Sequence, residues 1–370
     1  MNQKIAIYIP LLNFGGAERV VLDLLYEFAI EGEFDVHLIT DAHSSVLIKQ
    51  VPSAVNIIHL QCAGFLNKFS KILKLRRLLK EYNFDFIISN LTHANIHMAF
   101  VKLISIDNNC KLILVEHNVV SHYIHHLKNI VKKLLLWFFA LVLYRVANRI
   151  VCVSNSVKED LEKTFYLQKS LCEVIYNPID VAKILLLKNE SIDSELAEFI
   201  KDKKVLISVG RLVSQKNHAL LLQAFLLLKN SNYVLLIVGD GALRSDLEKY
   251  VFEKNISNSV KFLGYQTNPY KYIVAADILV LTSIFEGFGL VLVEAMLLGT
   301  QIVAVRGAAV IEIVNLMQTG YLSSNDPQDL AREILLASFQ DGQLSDYENR
   351  ITSSFGVKHV YRCYKDLLAK

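Results

Sequence analysis

Short β-branched runs alternate with amphipathic helical stretches along the whole chain, and that rhythm restricts the fold more than any other feature. KIAIYIP is followed by an amphipathic helix from Ala17 to Glu31 and then by VHLIT. DFIIS, KLILVEH and RIVCVS come next, each ahead of a polar or glycine turn. Between the last two, the pattern predicts one long helical stretch, about His126 to Ala147. After Asn177-Pro178 the rhythm restarts with KVLISVG, helix 217–229, YVLLIVGDG, helix 242–254 and VKFLGY. Helix 269–276, ILVLTS, helix 289–298 and QIVAV complete it. Strands alternating with helices imply parallel sheets covered on both faces. Each half is therefore expected to be an α/β, doubly wound, Rossmann-like domain, with YNPID at 176–180 as a hinge and a boundary near residue 182.

Composition agrees with two cores and excludes several classes. The 370 residues are 53% hydrophobic with five prolines, which leaves no room for a disordered or linker-rich chain. A net charge of +3 argues against a dedicated nucleic-acid binder. The balance is uneven, however: residues 51–150 carry 13 Lys/Arg against 4 Asp/Glu. That face is either a solvated surface or one that attracts an anionic lipid surface. The five cysteines, Cys62, Cys110, Cys152, Cys172 and Cys363, are dispersed with no C-x-x-C pair, so neither a disulfide framework nor a zinc site is expected. The apolar N-terminal run ends in a glycine turn and reads as a buried first strand, not a signal peptide. The most apolar stretch, Leu134 to Leu143, is about half of what spans a bilayer and is expected in the core. A cytoplasmic protein follows, peripheral on the inner leaflet at most.

Two tandem Rossmann-like domains would leave a cleft facing the carboxyl ends of both sheets, where ligands bind in such folds. Glycine turns at Gly15-Gly16 and at Gly287/Gly289 follow strands and open helices, which suits an anion on helix N–H groups. Neither is G-x-G-x-x-G, and the P-loop and D-x-D patterns are both absent. No metal or other cofactor is therefore expected, and a bound diphosphate would have to be met by Arg/Lys and helix dipoles. SVGRL at 208–212 ends a strand, and Lys216 follows Arg211 by five residues. Some 70 residues later, TSIFEGFGLVLVEAM sets Glu286 just before a helix and Glu294 about a turn and a half inside it. Apolar neighbours flank Glu294 almost without relief, so its carboxylate requires a partner.

With these motifs in place, the sequence resembles the retaining glycosyltransferases of family 4, which have the two-domain GT-B fold. GGAER at 15–19, EHN at 116–118, VSNS at 153–156, NPID at 177–180 and GRL with its following lysine at 210–216 stand in the family's order. So do VGDG at 238–241, FLGY at 262–265 and FEGFGLVLVEA at 285–295, with Glu286 and Glu294 at the family's E-x7-E spacing. The resemblance implies a nucleoside diphosphate sugar donor and retention of anomeric configuration. It implies that Arg211 and Lys216 hold the diphosphate beside Gly210, capped by N–H groups around Phe288, Gly289 and Leu290. Glu294 would bind the ribose, Glu286 the donor sugar, and the main chain of Gly264-Tyr265 the base. His117 would sit beneath the donor sugar, and Gly15 and Gly16 would let the backbone approach closely. The donor's own phosphate oxygen would deprotonate the acceptor. The chain departs from the family in having Gly299-Thr300-Gln301 and RGAAVI at 306–311 where relatives carry more Gly and Pro.

The domain expectation is thus an acceptor-side domain at 1–182, a nucleotide-sugar-binding domain at 183–354, and a final helix at 355–370 that crosses back onto the first domain. The expected reaction moves a hexose or N-acetylhexosamine from a nucleoside diphosphate sugar, with a UDP-sugar as the expected donor, to a lipid-linked or surface-polysaccharide acceptor. The rival readings are a nucleotide-sugar epimerase or hydrolase on the same scaffold, and a non-catalytic nucleotide-sugar-binding subunit. Two features stay open. His122, His125 and His126 read as a surface run, not a metal cluster. Residues 68–80 put Phe69, Ile72, Leu75, Leu78 and Leu79 on one helical stripe and Lys/Arg on the other, a pattern that suits either a membrane surface or packing on the sheet.

Overall fold

The structure is a computed structural model that describes residues 2–13, 15–42, 46–61, 68–105, 109–127, 129–228, 232–339 and 347–370. The chain divides into two compact units, Met1–Ile179 with Ser354–Lys370, and Asp180–Ser353. In the first unit the order is β1 (Gln3–Tyr8), α1 (Gly16–Glu31), β2 (Phe34–Thr40), β3 (Asn56–His59), α2 (Lys68–Tyr82), β4 (Phe86–Asn90), α3 (Thr92–Leu103) and β5 (Lys111–Glu116). Then come α4 (Val120–His125), α5 (Ile130–Leu143), β6 (Arg149–Cys152), α6 (Asn155–Thr164) and β7 (Cys172–Val174). The second unit holds α7 (Val181–Leu187), α8 (Ser194–Ile200), β8 (Lys204–Val209), α9 (His218–Leu227), β9 (Tyr233–Val238), α10 (Arg244–Glu253) and β10 (Val260–Gly264). It continues through α11 (Tyr270–Val274), β11 (Ile278–Leu281), α12 (Leu290–Leu297), β12 (Gln301–Val305), α13 (Ala308–Met317), β13 (Tyr321–Ser323) and α14 (Pro327–Ser338). The chain ends with α15 (Tyr347–Phe355) and α16 (Val357–Ala369).

Both sheets are parallel, as the alternation predicts. The first has the order β3-β2-β1-β4-β5-β6-β7 and the second β10-β9-β8-β11-β12-β13. Ile5, Ala6, Ile7 and Tyr8 of β1 are all buried, as is every residue of β4 and β9, because helices cover both faces of each sheet. Strand order reverses between β1 and β4 in the first sheet and between β8 and β11 in the second. Loops leaving the carboxyl ends of strands at such points form the ligand crevice of open α/β sheets.

The final helix belongs to the first unit. Tyr361 packs edge-on to Phe28 of α1 at 5.0 Å between ring centroids. Lys365 pairs with Glu33 at 2.6 Å, and Lys370 with Glu173 at 3.0 Å. Ile179 bridges to Gly356, its N–H donating to the Phe355 carbonyl at 2.7 Å. The two segments of this unit therefore rejoin at the place where the second unit leaves and returns.

Three helical expectations change. The stretch 126–147 is not one helix: α4 ends at His125, and Asn129 starts α5 by accepting from the Lys132 N–H at 2.9 Å. A 3₁₀ turn, Tyr144–Val146, follows it. Helix 134–143 is not core, because Leu134, Leu135, Phe138 and Val142 are exposed and only Ala140 and Leu143 of α5 are buried. It is apolar nearly all round, a pattern that composition alone assigns to the interior. On α2 the stripe packs: Leu75, Leu78 and Leu79 are buried, and Lys71 is buried against Asp41 at 2.6 Å. The side chain of Phe69 lies outside the described residues, as do Cys62 and Lys128.

Candidate active site

The second unit gathers most of the predicted residues at its switch point. Lys216 ends a 3₁₀ turn, Ser214–Lys216, in the loop after β8, and Glu286 lies in the loop after β11. Lys216 Nζ stands 2.5 Å from Glu286 Oε1, with both side chains largely buried. The Ser283 hydroxyl donates to the same oxygen at 2.6 Å. The loops are laced together by Gln215 Nε2 donating to the Phe285 carbonyl at 3.0 Å and by Thr282 Oγ1 donating to the Lys216 carbonyl at 2.9 Å. Glu286 Oε2 has no hydrogen bond among the described residues, so one lone-pair edge of this oriented carboxylate can accept from a ligand hydroxyl. Arg211, in the same β8 loop, is exposed, and no carboxylate among the described residues lies within ion-pair distance of it.

Backbone proximity explains the glycines. Gly210 N–H donates to the Val238 carbonyl at 2.9 Å, and Gly239 N–H to the Gly264 carbonyl at 2.7 Å. Gly239 has φ +136°, and a Cβ there would fall 1.9 Å from the Gly210 carbonyl oxygen. The ends of β8, β9 and β10 thus meet through bare backbone. Tyr265, next to Gly264, is exposed. Gly289 caps α12 in the left-handed region at φ +97°, which presents the first N–H groups of that helix after the buried Phe288. Leu290 opens the helix, and Glu294 is buried within it, with the Tyr270 hydroxyl 3.5 Å from its Oε1.

The first unit builds a separate polar pocket. His117 follows β5 directly and is buried, its Nε2 3.0 Å from Asn90 Oδ1 at the end of β4. The Asn90 amide nitrogen faces the Tyr8 carbonyl at 3.3 Å, so its oxygen accepts from Nε2–H and the His117 Nδ1 keeps a lone pair. That Nδ1 has no hydrogen-bond partner among the described residues. Burial pushes the His117 imidazole down to about 4, so it is neutral at physiological pH. Beneath it, the Glu116 carboxylate receives Asn95 Nδ2 at 2.7 Å, Thr92 Oγ1 at 2.8 Å and the Tyr144 hydroxyl. Burial pushes the Glu116 carboxyl up to about 7 against those three donors. Gly15 caps α1 and Gly16 opens it; the Glu18 carboxylate of the first turn lies so close that a Cβ on Gly15 would sit 2.0 Å from it. The mouth of α1 thus already holds a carboxylate of its own chain.

Sequence spacing found Lys216, Glu286 and Glu294 but not that Lys216 and Glu286 pair. It missed Ser283, Gln215 and Tyr270, and in the first unit Asn90, Thr92, Asn95 and Tyr144. It also missed His218, a buried histidine behind the Lys216 loop that burial, helped by the Lys216 ammonium, pushes down to about 4. The one available signal was EHN, which puts Glu116 beside His117.

Comparison with known proteins places this geometry in context. The pattern described as "Glycosyltransferase Family 4" matches residues 14–183, and that described as "Glycosyl transferases group 1" matches residues 191–351. A Campylobacter jejuni protein, N-acetylgalactosamine-N,N'-diacetylbacillosaminyl-diphospho-undecaprenol 4-alpha-N-acetylgalactosaminyltransferase, is 33% identical over 303 residues, covering 80% of this chain and 78% of its own. The Escherichia coli UDP-Gal:alpha-D-GlcNAc-diphosphoundecaprenol alpha-1,3-galactosyltransferase is 26% identical, covering 79% of this chain and 76% of its own. Among solved structures, Anabaena HepE in complex with UDP and glucose superposes with a TM-score of 0.82 at 21% identity, over the full length of both chains.

Proposed function

Because the chain belongs to family 4 of the glycosyltransferases and has the GT-B fold, we propose that it moves a hexose or N-acetylhexosamine from a UDP-sugar to a saccharide carried on a polyprenyl diphosphate, with retention of configuration. The observation that carries this reading is the Lys216–Glu286–Ser283 cluster beside the Gly289 cap of α12. As the donor bond breaks, negative charge grows on the leaving diphosphate. Lys216, Arg211 and the N–H groups at the mouth of α12 offer fixed positive charge there, without a metal ion. Glu286, held by Ser283, accepts from a sugar hydroxyl through Oε2, and Glu294 takes the ribose hydroxyls. In the first unit, the neutral His117 keeps Nδ1 as a hydrogen-bond acceptor for a ligand hydroxyl; it cannot act as a cationic acid near pH 7. The two named relatives act on diphospho-undecaprenol-linked sugars, which supports the acceptor class. The galactosyltransferase, whose name specifies UDP-Gal, supports the base of the donor.

The test is transfer from a panel of UDP-, GDP- and ADP-sugars to short-chain polyprenyl-diphosphate saccharides, with and without EDTA, and NMR assignment of the new linkage. An α-linked product from a UDP-sugar, unaffected by EDTA, is expected. Inverted product, strict metal dependence, or release of free sugar without transfer would overturn the respective part of the proposal.

A further inference from the structure

Helix α5 carries a continuous uncovered apolar face. Ile130, Val131, Leu134, Leu135, Phe138 and Val142 are exposed by 44–64% and recur every three or four residues, so they share one side. The opposite side packs: Ala140 and Leu143 are buried, and Trp137 meets Phe165 at 4.9 Å. A stripe of large side chains on one exposed helix exceeds the scattered apolar residues of an ordinary surface. It is too short to enter a bilayer lengthwise: the helix has 14 residues, about 21 Å, against a hydrocarbon core of about 30 Å. No helix among the described residues is long and apolar enough to cross a membrane.

Charge narrows what covers this face. From His117 to Lys158 the chain has no Asp or Glu and six Lys/Arg. Lys132, exposed, and Lys133 sit in the first turn of α5, where a cation opposes the helix dipole and no acidic residue offsets it. The helix dipole gains nothing from cations at that end. Next to them, on α4, His122, His125 and His126 are exposed. Partial burial, together with the positive charge of His125, His122 and Lys133, holds the His126 imidazole below its ordinary value. The N-terminal end of the apolar stripe is thus flanked by the basic first turn of α5 and by exposed histidines.

We infer that α5 is an in-plane docking helix for an anionic phospholipid surface, its apolar stripe in the acyl boundary and its basic first turn among the headgroups. The inference rests in part on the proposed acceptor, which such a surface would hold. Its test does not require that acceptor. The full chain is floated with vesicles of phosphatidylcholine alone and with added phosphatidylglycerol, at rising salt, while light scattering follows its oligomeric state. Wild type should bind the phosphatidylglycerol vesicles and be weakened, not fully released, by salt. Leu134→Gln/Phe138→Gln, at positions more than half exposed, should weaken partition by about tenfold or more. Lys132→Glu/Lys133→Glu should do the same at low salt only. All variants should retain UDP binding and wild-type transfer to a short, water-soluble acceptor.

Absence of wild-type binding, or binding that neither double variant reduces, overturns the inference. So does a dimer that Leu134→Gln/Phe138→Gln converts to monomer, which would give the face to a second copy. Vesicle binding without sugar transfer would leave this inference standing and defeat the proposed function; transfer without vesicle binding would do the reverse.

Discussion

Lys216 and Glu286 are 70 residues apart in the chain and 2.5 Å apart in space, an ion pair between two largely buried side chains. Lys216→Ala should lower turnover about 10²-fold, the loss typical of one preorganised contact to a developing anion. It should also destabilise the second unit by about 2 kcal/mol, because Glu286 loses its counter-ion and keeps only the Ser283 hydroxyl. Adding Glu286→Gln should restore the stability and not the rate; recovery of both in the double variant would reduce the pair to a structural role. A second residue-scale expectation concerns acid. His218 is held neutral, its pKa pushed from 6.5 to about 4, so the folded state binds fewer protons than the unfolded one. That contribution is whole above pH 6.5 and is lost as pH falls toward 4, up to about 3 kcal/mol. His218→Leu should flatten the acid limb of the second unit's stability curve, since its buried Nδ1 has no partner among the described residues and little else is lost. An unchanged limb would mean that His218 is not buried neutral. Glu116 runs the other way in the first unit, its contribution fading as pH rises through about 7, which makes the second unit the cleaner readout. The residues legible in the sequence were those in fixed local spacing, Glu286 with Glu294 and Arg211 with Lys216. Asn90 was not, because its meeting with His117 depends on β4 lying beside β5, and strand order leaves no mark on spacing.

Among elements, the central strands were legible because burial on both faces turns them into apolar runs, while the short edge strands β3, β7 and β13, only partly buried, left no such run and were not read. The helices were less so. Asn129 divides the 126–147 stretch through a cap that hydrophobic periodicity does not register, and α5, apolar nearly all round, gives no hint of which side stays open. The three glycine contacts linking the ends of β8, β9 and β10 are of the same kind: VGDG marks a turn, but the need for a missing Cβ is set by a carbonyl 29 residues away. Gly239→Ala brings both that collision and a positive φ, and should destabilise the second unit by about 3 kcal/mol or more. UDP affinity should fall with it, because Gly210 and its loop must move. Denaturant unfolding checks the prediction, and a loss below about 1 kcal/mol would mean that the β8 and β9 loops are not locked together.

For the molecule as a whole, the second unit is an insertion within the first, leaving after Ile179 and returning before Ser354. Helix α16 buries Val360, Tyr361, Tyr364, Leu367 and Leu368 in the first unit, a contribution on the order of 10 kcal/mol. That is comparable with the entire stability of a domain. Deleting residues 354–370 should therefore abolish the cooperative unfolding of the first unit while the second keeps its transition and its upward shift with UDP. Calorimetry resolves the two, and loss of the UDP shift would show that the tail serves the wrong unit for this account. The sequence suggested a tail helix through its apolar stripe; its partner, the Phe28 face of α1, lies more than 300 residues earlier and could be seen only in the fold. That separation also sets an order of assembly on the ribosome. Residues 180–353 are synthesised before the helix that closes the first unit. At 5–20 residues per second the wait is roughly ten to forty seconds. During it the face around Phe28 stands open, and the unit that begins the chain is completed only by its last residues.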